Sequence, residues 1–185
     1  IERLRDEARV PIVYVSHSVP EVARLATEIA VLRQGVLAAF GATGEILARL
    51  DLLSDEAGEG GAVLDMAVRE QDRAFAMTVL RSPAGEIRVP AVNVPLGSRM
   101  RVRLRARDVM IAVEKPQGLS ALNVLPGVIA AMEPVSENTL DIRLDCNGHA
   151  VVARITRLST ERLKLAPGQP VFAVIKTASV EPAGA

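Results

Sequence analysis

Apolar and polar positions follow two different periods along this chain of 185 residues. In the first 50 residues, stretches with helical spacing alternate with short β-branched runs, as in an α/β fold. After residue 62 the pattern changes to alternating positions and short apolar runs separated by turns, which predicts an all-β unit. The change of period therefore predicts two structurally distinct parts.

The first part is predicted to contain a helix end, a buried strand and a second helix. Residues 1–10 have apolar positions at helical spacing, and PIVYV at 11–15 is typical of a strand buried on both faces of a parallel sheet. Ser18 is expected to cap the helix that follows, with Pro20 and Glu21 in its first turn. Its buried stripe would consist of Val22, Leu25, Ala26 and Ile29.

A hairpin and a short helix complete this part. Residues 29–41 predict two strands about a Gln34-Gly35 turn, because glycine accepts a positive φ. Thr43 is expected to cap a helix within residues 41–50. The acidic, glycine-rich segment LLSDEAGEGG at 52–61 predicts a linker.

The second part is predicted to be one small barrel or a pair of barrels, with one helical interruption near residues 157–165. Turns such as SPAGE and CNGH separate the predicted strands, and His149 is expected to be an exposed hairpin residue. The strands are predicted at 63–69, 73–80, 86–92, 100–107, 109–114, 124–132, 138–145, 149–155 and 170–176.

Composition narrows the class of protein. Apolar residues make up 49% of the chain and charged residues 24%, which is ordinary for a globular protein. Aromatic residues account for only 2%, so the stacking platforms of single-strand nucleic-acid binders are missing. No apolar run approaches the roughly 20 residues of a membrane-spanning helix. We therefore expect a soluble globular chain with no nucleic acid among its partners.

Charge and cysteine content add to this picture. Residues 1–60 hold 6 Lys and Arg against 10 Asp and Glu, and residues 61–185 hold 16 against 12, which supports a division into two units. The single Cys146 fits a reducing compartment, since it has no partner for an internal disulfide. No metal site is expected. Because the chain begins with Ile1, we expect it to belong to a longer protein.

His17 is the first residue with candidate chemistry. It follows the predicted strand at 11–15, and open α/β sheets place ligand-binding groups at the carboxyl ends of their strands. An imidazole there can donate a hydrogen bond to a phosphoryl oxygen or polarise a water. The alternative is a histidine that only caps the next helix or satisfies loop backbone.

The segment PIVYVSHSVPEVARLATEIAVLRQGVLAAFGATGEIL resembles the end of an ABC-transporter ATPase domain, with its switch strand, His loop, helix and final hairpin. The resemblance covers residues 1–50 and implies that His17 is the catalytic His-loop residue that contacts the γ-phosphate of ATP. The sequence has no G-x-x-x-x-G-K-[ST] loop, LSGGQ-like signature or Walker B aspartate ahead of Ile1. Phosphoryl transfer needs those groups, so this chain alone is not expected to hydrolyse ATP.

The segment RMRVRLRARDV places arginines at every second position. Period two puts them on one face of a strand and Met100, Val102, Leu104 and Ala106 on the other. One interpretation is an anion-attracting stripe or an interface with an acidic surface. The other is a solvated strand face whose cations pair with nearby carboxylates. The arginines are Arg99, Arg101, Arg103, Arg105 and Arg107.

Two segments of the second part, at 118–129 and 155–180, carry neutral donors and one cation. Hydroxyl, amide and ammonium groups brought together can bind a small tetrahedral oxyanion. The alternative is turn chemistry, in which these side chains only hold loop backbone. The candidate oxyanion-binding residues are Ser120, Asn123, Lys176, Thr177 and Ser179.

The frame S-A-x-N-x-L-x-G, followed by I-T-x-x-S-x-x-x-L-x-L-x-x-G and V-I-K, resembles the molybdenum-pterin-binding (Mop) or TOBE domain, an OB-like β-barrel that binds molybdate or tungstate. The resemblance covers roughly residues 119–181 and implies that the five candidate residues lie on oxyanion-binding segments. RVRLRARDVMIAVEKPQGLSALNVLPG also resembles the region before that domain in molybdate-importer ATPases. Leu122 departs from the S-A-R-N of small members and removes a cation that would pair with the oxyanion.

The predicted fold is an α/β remnant of an ABC ATPase domain at residues 1–51, a linker at 52–61 and OB-like TOBE barrels at 62–185, with a core module at 119–181. The resemblances imply the C-terminal regulatory portion of a molybdate importer's ATP-hydrolysing subunit. That parent would use ATP and Mg²⁺ and bind molybdate or tungstate. It would form a homodimer with permease subunits as partners, at the inner face of a bacterial inner membrane.

Three alternatives remain open. The first is a parent subunit that imports sulfate, sugar or iron and carries a structural barrel, although the frame S-A-L-N-V-L-P-G favours molybdate. The second is an oxyanion-storage module, against which the His-loop segment argues. The third is a dimerisation domain with an empty site, an interpretation that Leu122 supports.

Overall fold

The computed structural model describes residues 11–16, 19–33, 35–47 and 61–183. Three helices are present in these ranges: α1 (Val19–Leu25), α2 (Thr43–Leu47) and α3 (Arg157–Leu163). The described strands are β1 (Glu28–Arg33), β2 (Val36–Ala42), β3 (Gly61–Asp72), β4 (Met77–Ser82), β5 (Gly85–Pro90), β6 (Arg99–Arg105), β7 (Val109–Ala112), β8 (Asn123–Pro134), β9 (Thr139–Cys146), β10 (His149–Thr156), β11 (Pro170–Ile175) and β12 (Glu181–Ala183). Short 3₁₀ turns span Ala106–Asp108 and Thr177–Ser179.

The predicted hairpin in the first part is confirmed. Strands β1 and β2 pair antiparallel, and Gly35 has the positive φ of +80° that the turn requires. Ala39 of β2 and Ile46 of α2 are buried together, with Ile29 packed against them. The hairpin and α2 therefore form one small apolar cluster.

The strand predicted at residues 11–15 is not observed. Residues 11–16 have no regular secondary structure, and Val13 and Val15 are 95% and 90% exposed. A strand buried on both faces needs hydrogen-bonded neighbours, and no described strand pairs with this segment. The predictions for residues 1–10, His17, Ser18, Gln34 and most of the linker lie outside the described residues.

Two details of the helices differ from the prediction. Helix α1 ends at Leu25, so Ile29 lies in β1, and Ala23 is the side chain of α1 that is fully buried. Thr43 is the first residue of α2, and its hydroxyl donates to the carbonyl oxygen of Ala26 at 2.8 Å. Thr43 therefore ties α2 to the end of α1 instead of capping its own helix.

The second part is all-β, as predicted, and contains two five-stranded antiparallel sheets. Their strand orders are β12-β6-β3-β4-β5 and β7-β11-β8-β9-β10. Each predicted strand and the helix near residue 157 are observed, although residues 73–76 form a turn. Strand β12 was not predicted, and Gly61 belongs to β3 rather than to the linker.

The two sheets have equivalent strands in the same order, with their last strands exchanged. Strands β7 and β12 each follow a 3₁₀ turn, and each pairs with the other half: β7 with β11 and β12 with β6. The long strands β3 and β8 also carry a register shift at equivalent places, between Val68 and Glu70 and between Ile129 and Ala131. The second part is thus an internal structural repeat.

Both sheets contribute to one hydrophobic core. Leu64, Leu80 and Val102 from the first sheet belong to the same buried cluster as Leu125 and Leu144 from the second. Because side chains alternate in direction along a strand, the period-two pattern places these residues on the inner faces. Neither half has a core of its own.

Candidate functional site

The two candidate oxyanion-binding segments lie side by side. Strand β8 begins at Asn123, strand β11 ends at Ile175, and these two residues are paired in the antiparallel ladder. Ser120 precedes the start of β8, and Lys176 follows the end of β11 directly. The fold therefore brings both segments to the same end of two neighbouring interior strands of the second sheet.

Asn123 is fully buried, and both the oxygen and the nitrogen of its amide are hydrogen-bonded. Its Oδ1 accepts from the backbone N–H of Arg88 at 2.7 Å, and its Nδ2 donates to the carbonyl oxygen of Arg88 at 3.0 Å. Arg88 lies in β5, an edge strand of the first sheet. The Asn123 amide therefore takes the place of a neighbouring strand and joins the two sheets, as the turn-chemistry alternative for this residue implies.

The segment after β11 offers donors of different exposure. Lys176 is exposed, and Thr177 begins the 3₁₀ turn, in which the backbone N–H of Ser179 donates to the carbonyl oxygen of Lys176 at 3.0 Å. Thr177 Oγ1 is buried and has no hydrogen-bond partner within the described part of the chain. An unpaired buried hydroxyl is costly, so this atom is a donor available to a ligand.

Ser120 and Leu122 are exposed on the other segment. Ser120 lies in a bend before β8, and Leu122 is 49% exposed. The position of Leu122 therefore presents an apolar side chain beside the donors. Leu122 stands at the position that is arginine in the S-A-R-N frame.

The arginine stripe is confirmed in its alternation over β6. Met100, Val102 and Leu104 are buried on the inner face. The stripe is not uniformly solvated, however, because Arg103 is only 7% exposed. In the register of β12 with β6, Arg103 is paired with Glu181. Arg107 lies in the 3₁₀ turn rather than in the strand.

Arg101 belongs to this stripe and makes two contacts. Its Nε donates to Asp65 Oδ1 at 3.3 Å, and its Nη1 donates to the carbonyl oxygen of Ala26 at 2.5 Å. The first contact agrees with the expectation that nearby carboxylates pair with these cations. The second joins the barrel to the end of α1, which the sequence did not indicate.

Two residues before His17 are held by one carboxylate that follows it in the chain. Tyr14 Oη and Ser16 Oγ both donate to Glu21 Oε2 in the first turn of α1, at 2.9 and 3.1 Å. The hydrogen bond to Glu21 raises the pKa of the Tyr14 hydroxyl. The chain before His17 is therefore tied to the helix that follows it.

Cys146 and His149 were singled out by the sequence for their environment. Cys146 is fully buried, and desolvation, helped by the charge of Asp145, raises the pKa of its thiol to about 11. A thiol with this pKa is inert at neutral pH. His149 begins β10 directly after the Asn147-Gly148 turn and pairs with Cys146, so its place in a hairpin is confirmed, whereas its expected exposure is wrong because it is half-buried.

A buried ion pair was missed by the sequence analysis. Arg154 Nε and Nη2 donate to the two carboxylate oxygens of Asp141, each at 2.7 Å, and Asp141 is 1% exposed. The bidentate contact raises the pKa of Arg154. The alternation of β9 and β10 gave no signal of this burial, because Asp141 and Arg154 lie on the face opposite to the core residues Ile142 and Ala153 of these strands.

The described residues contain no group of three or more His, Cys, Asp and Glu side chains that could hold a metal ion. Among the helices that the structure describes, none is long and apolar enough to cross a membrane.

Comparison with known proteins identifies relatives over almost the whole chain. The TOBE domain model matches residues 119–182. The chain is 58% identical over 182 residues to the molybdenum import ATP-binding protein ModC of Mesorhizobium japonicum, covering 98% of this chain and 49% of that protein. It is 45% identical over 181 residues to the ModC of Rhizobium etli, covering 98% and 51%. The chain thus spans about half the length of these relatives.

A solved structure shares the fold. The cytoplasmic molybdate-binding protein ModG, in a form with molybdate bound, aligns with a TM-score of 0.59 at 20% sequence identity. The alignment covers 65% of this chain and 94% of that one. Residues 119–182 thus match the TOBE domain model, and over 98% of its length the chain is similar to about half of each of these ModC proteins.

Proposed function

We propose that this chain is the C-terminal regulatory portion of the ATP-hydrolysing subunit of a molybdate ABC importer. The observation that carries the proposal is the 58% identity to a molybdenum import ATP-binding protein across 98% of the chain. The parent subunit hydrolyses ATP with Mg²⁺, forms a homodimer and drives permease subunits. It acts at the inner face of the bacterial inner membrane. The chain alone is inactive because its sequence lacks the phosphate-binding loop.

In this proposal residues 1–51 are the end of the ATPase domain, and His17 contacts the γ-phosphate in the intact ATPase. The hydrogen bonds from Tyr14 and Ser16 to Glu21 support this role, because they restrain the chain on both sides of His17. A restrained loop places an imidazole with less loss of conformational entropy on ligand binding. Residues 52–61 are the linker, and residues 62–185 form the barrel region.

The barrel binds molybdate or tungstate at the start of β8 and the end of β11. Lys176 supplies the cation, and Ser120, Thr177 and Ser179 supply neutral donors. The buried, unpartnered Thr177 hydroxyl supports this assignment, as does the adjacency of the two segments. Asn123 takes part by holding the start of β8 in place, since its amide is already engaged with Arg88.

A purely structural barrel is the second candidate function, in which this region mediates dimerisation and leaves the oxyanion site empty. Leu122 favours it, because an exposed leucine stands where smaller members of the family carry an arginine. The parent would then be an importer subunit for molybdate or for another solute. An oxyanion-storage module is a further alternative, for which the His-loop segment has no use.

The test is calorimetric titration of the purified chain with molybdate, with sulfate and phosphate as competitor anions. We expect saturable molybdate binding that Lys176→Ala weakens about tenfold, since a charge-assisted hydrogen bond contributes roughly 1.5–3 kcal/mol. Lys115→Ala is the matched control, because Lys115 is an exposed lysine in the loop between the two halves.

Two results would count against an oxyanion-binding barrel. One is the absence of both binding heat and thermal stabilisation by molybdate. The other is equal weakening by Lys115→Ala and Lys176→Ala, which would indicate non-specific attraction of anions. Either result would leave dimerisation as the function of this region.

A further inference from the structure

One carbonyl oxygen at the end of helix α1 is hydrogen-bonded to the barrel. The oxygen of Ala26 accepts from Arg101 Nη1 at 2.5 Å and from Thr43 Oγ1 at 2.8 Å. Ala26 directly follows the last residue of α1. Arg101 belongs to β6 of the barrel, so this oxygen is a point where helix, hairpin unit and barrel meet.

Arginine suits this position for two physical reasons. The last carbonyls of a helix lack intrahelical partners and carry the negative end of the helix dipole, which favours a cation. The guanidinium is also planar, so Asp65 Oδ1 can orient it through Nε while Nη1 reaches Ala26. The Arg101 side chain is 22% exposed, which limits competition from water.

The backbone of Arg101 connects to the proposed oxyanion segment. In the register between β12 and β6, Arg101 is paired with Ala183. Strand β12 begins one residue after Val180, which closes the 3₁₀ turn that contains Thr177 and Ser179. The exchange of last strands is therefore what places the end of this segment beside β6.

We propose that Arg101 is a positioning residue that couples oxyanion binding at residues 176–179 to helix α1, and through it to His17. This inference rests on the proposed function. A ligand that orders the 3₁₀ turn restrains β12, and β12 is hydrogen-bonded to the segment of β6 from which Arg101 reaches Ala26. The coupling requires two states of the chain, one with the Arg101–Ala26 hydrogen bond made and one with it broken. The ligand shifts the populations of these states by the difference between its affinities for them.

The experiment is hydrogen exchange of the full chain, read by mass spectrometry on peptides that contain α1, with and without molybdate. In the ligand-free chain, Arg101→Met is expected to speed exchange in α1 roughly tenfold, because a charged hydrogen bond that closes the helix is lost. Molybdate is expected to change exchange in α1 of the wild type by at least about threefold and to leave α1 of the variant unchanged.

Arg99→Met is the matched control, since Arg99 is an exposed arginine on the same face of β6. It is expected to keep the molybdate response of α1. Molybdate affinity, measured by titration, is expected to stay within about twofold in both variants, because neither arginine contacts the proposed site. Arg101→Lys serves as a second variant should Arg101→Met not fold, because it keeps the cation but loses the planar fork.

The outcomes separate this inference from the proposed function. Molybdate binding to the wild type with no response in α1, or a response that Arg101→Met preserves, overturns the coupling and leaves the binding proposal intact. Absence of molybdate binding overturns the proposed function and with it the ligand coupling. In that case the ligand-free proteins still test the positioning role. Exchange in α1 of Arg101→Met at the wild-type rate overturns that role, and exchange faster than in the wild type upholds it.

Discussion

Asn123 illustrates at the scale of one residue how a polar side chain joins two sheets. Its amide forms two hydrogen bonds with the backbone of Arg88, in a position without access to water. In the sequence it stands in a frame associated with oxyanion binding, and the residue type alone leaves both roles open. Arg88, 35 positions away in the chain, is the hydrogen-bond partner. Only the folded structure shows that the amide of Asn123 is engaged by it.

We predict that Asn123→Ala lowers the free energy of unfolding by about 2–4 kcal/mol, because a fully buried side chain and its two hydrogen bonds to the Arg88 backbone are lost. Urea denaturation monitored by circular dichroism measures the change. Asn93→Ala is the control, since Asn93 is exposed, and a change within about 0.5 kcal/mol is expected there. A loss for Asn123→Ala as small as that of the control would contradict the role assigned to the amide.

At the scale of elements, the hydrophobic pattern predicted strands correctly where one face of the strand is apolar and the other is polar. The alternation of β6 correctly placed Met100, Val102 and Leu104 inside. Strand β12 was missed because it is three residues long and contains Pro182, which cannot donate to a ladder. Its position at the edge of a sheet tolerates the proline, and only the folded chain creates that edge.

The pairing of β9 with β10 depends on a buried ion pair. Asp141 and Arg154 are directly opposite each other in the register, and their contact is bidentate. Burial of either charge without the other is costly, because a charge leaves water without a compensating partner. This ion pair therefore constrains the register of the two strands.

We predict that Arg154→Leu destabilises the protein by about 3–5 kcal/mol, because Asp141 remains buried and unpaired. The double variant Asp141→Leu with Arg154→Leu is expected to recover most of this loss, since no buried charge is left. Thermal and urea unfolding of the three proteins measure both effects. Arg69→Leu, which removes the more exposed pair between Arg69 and Glu86, is the control and should cost under about 1 kcal/mol. A double variant no more stable than Arg154→Leu would argue against the interpretation.

At the scale of the whole molecule, the two halves of the barrel region are interlocked. Each half lends its last strand to the other, and the inner faces of both sheets form one core. Neither half can unfold without removing a strand and a core surface from its partner. The internal repeat is therefore expected to behave as one cooperative unit, although its sequence divides into two series of strands.

We predict that residues 61–183 unfold in a single transition. Leu80→Ala in the first half and Leu144→Ala in the second are expected to lower the stability of both halves equally, by about 2–5 kcal/mol, because each leaves a cavity in the shared core. Hydrogen exchange near the unfolding midpoint, read on peptides from each half, measures this. Leu158→Ala on the exposed face of α3 is the control. Separate exchange rates for the two halves would contradict the interlocked arrangement.

The linear pattern of residues was sufficient for the all-β character of residues 61–183, the hairpin about Gly35 and most strand positions, because side-chain alternation and turn chemistry are local properties. It was not sufficient for the exchange of β7 and β12, the Asp141–Arg154 pair, or the bond between Arg101 and Ala26. These features join residues far apart in the chain, and they exist only once strand pairing has set the register. The chemistry of the candidate donors was readable from residue types, whereas their adjacency and the engagement of Asn123 depended on tertiary structure, because burial and hydrogen-bond partners are properties of the folded chain.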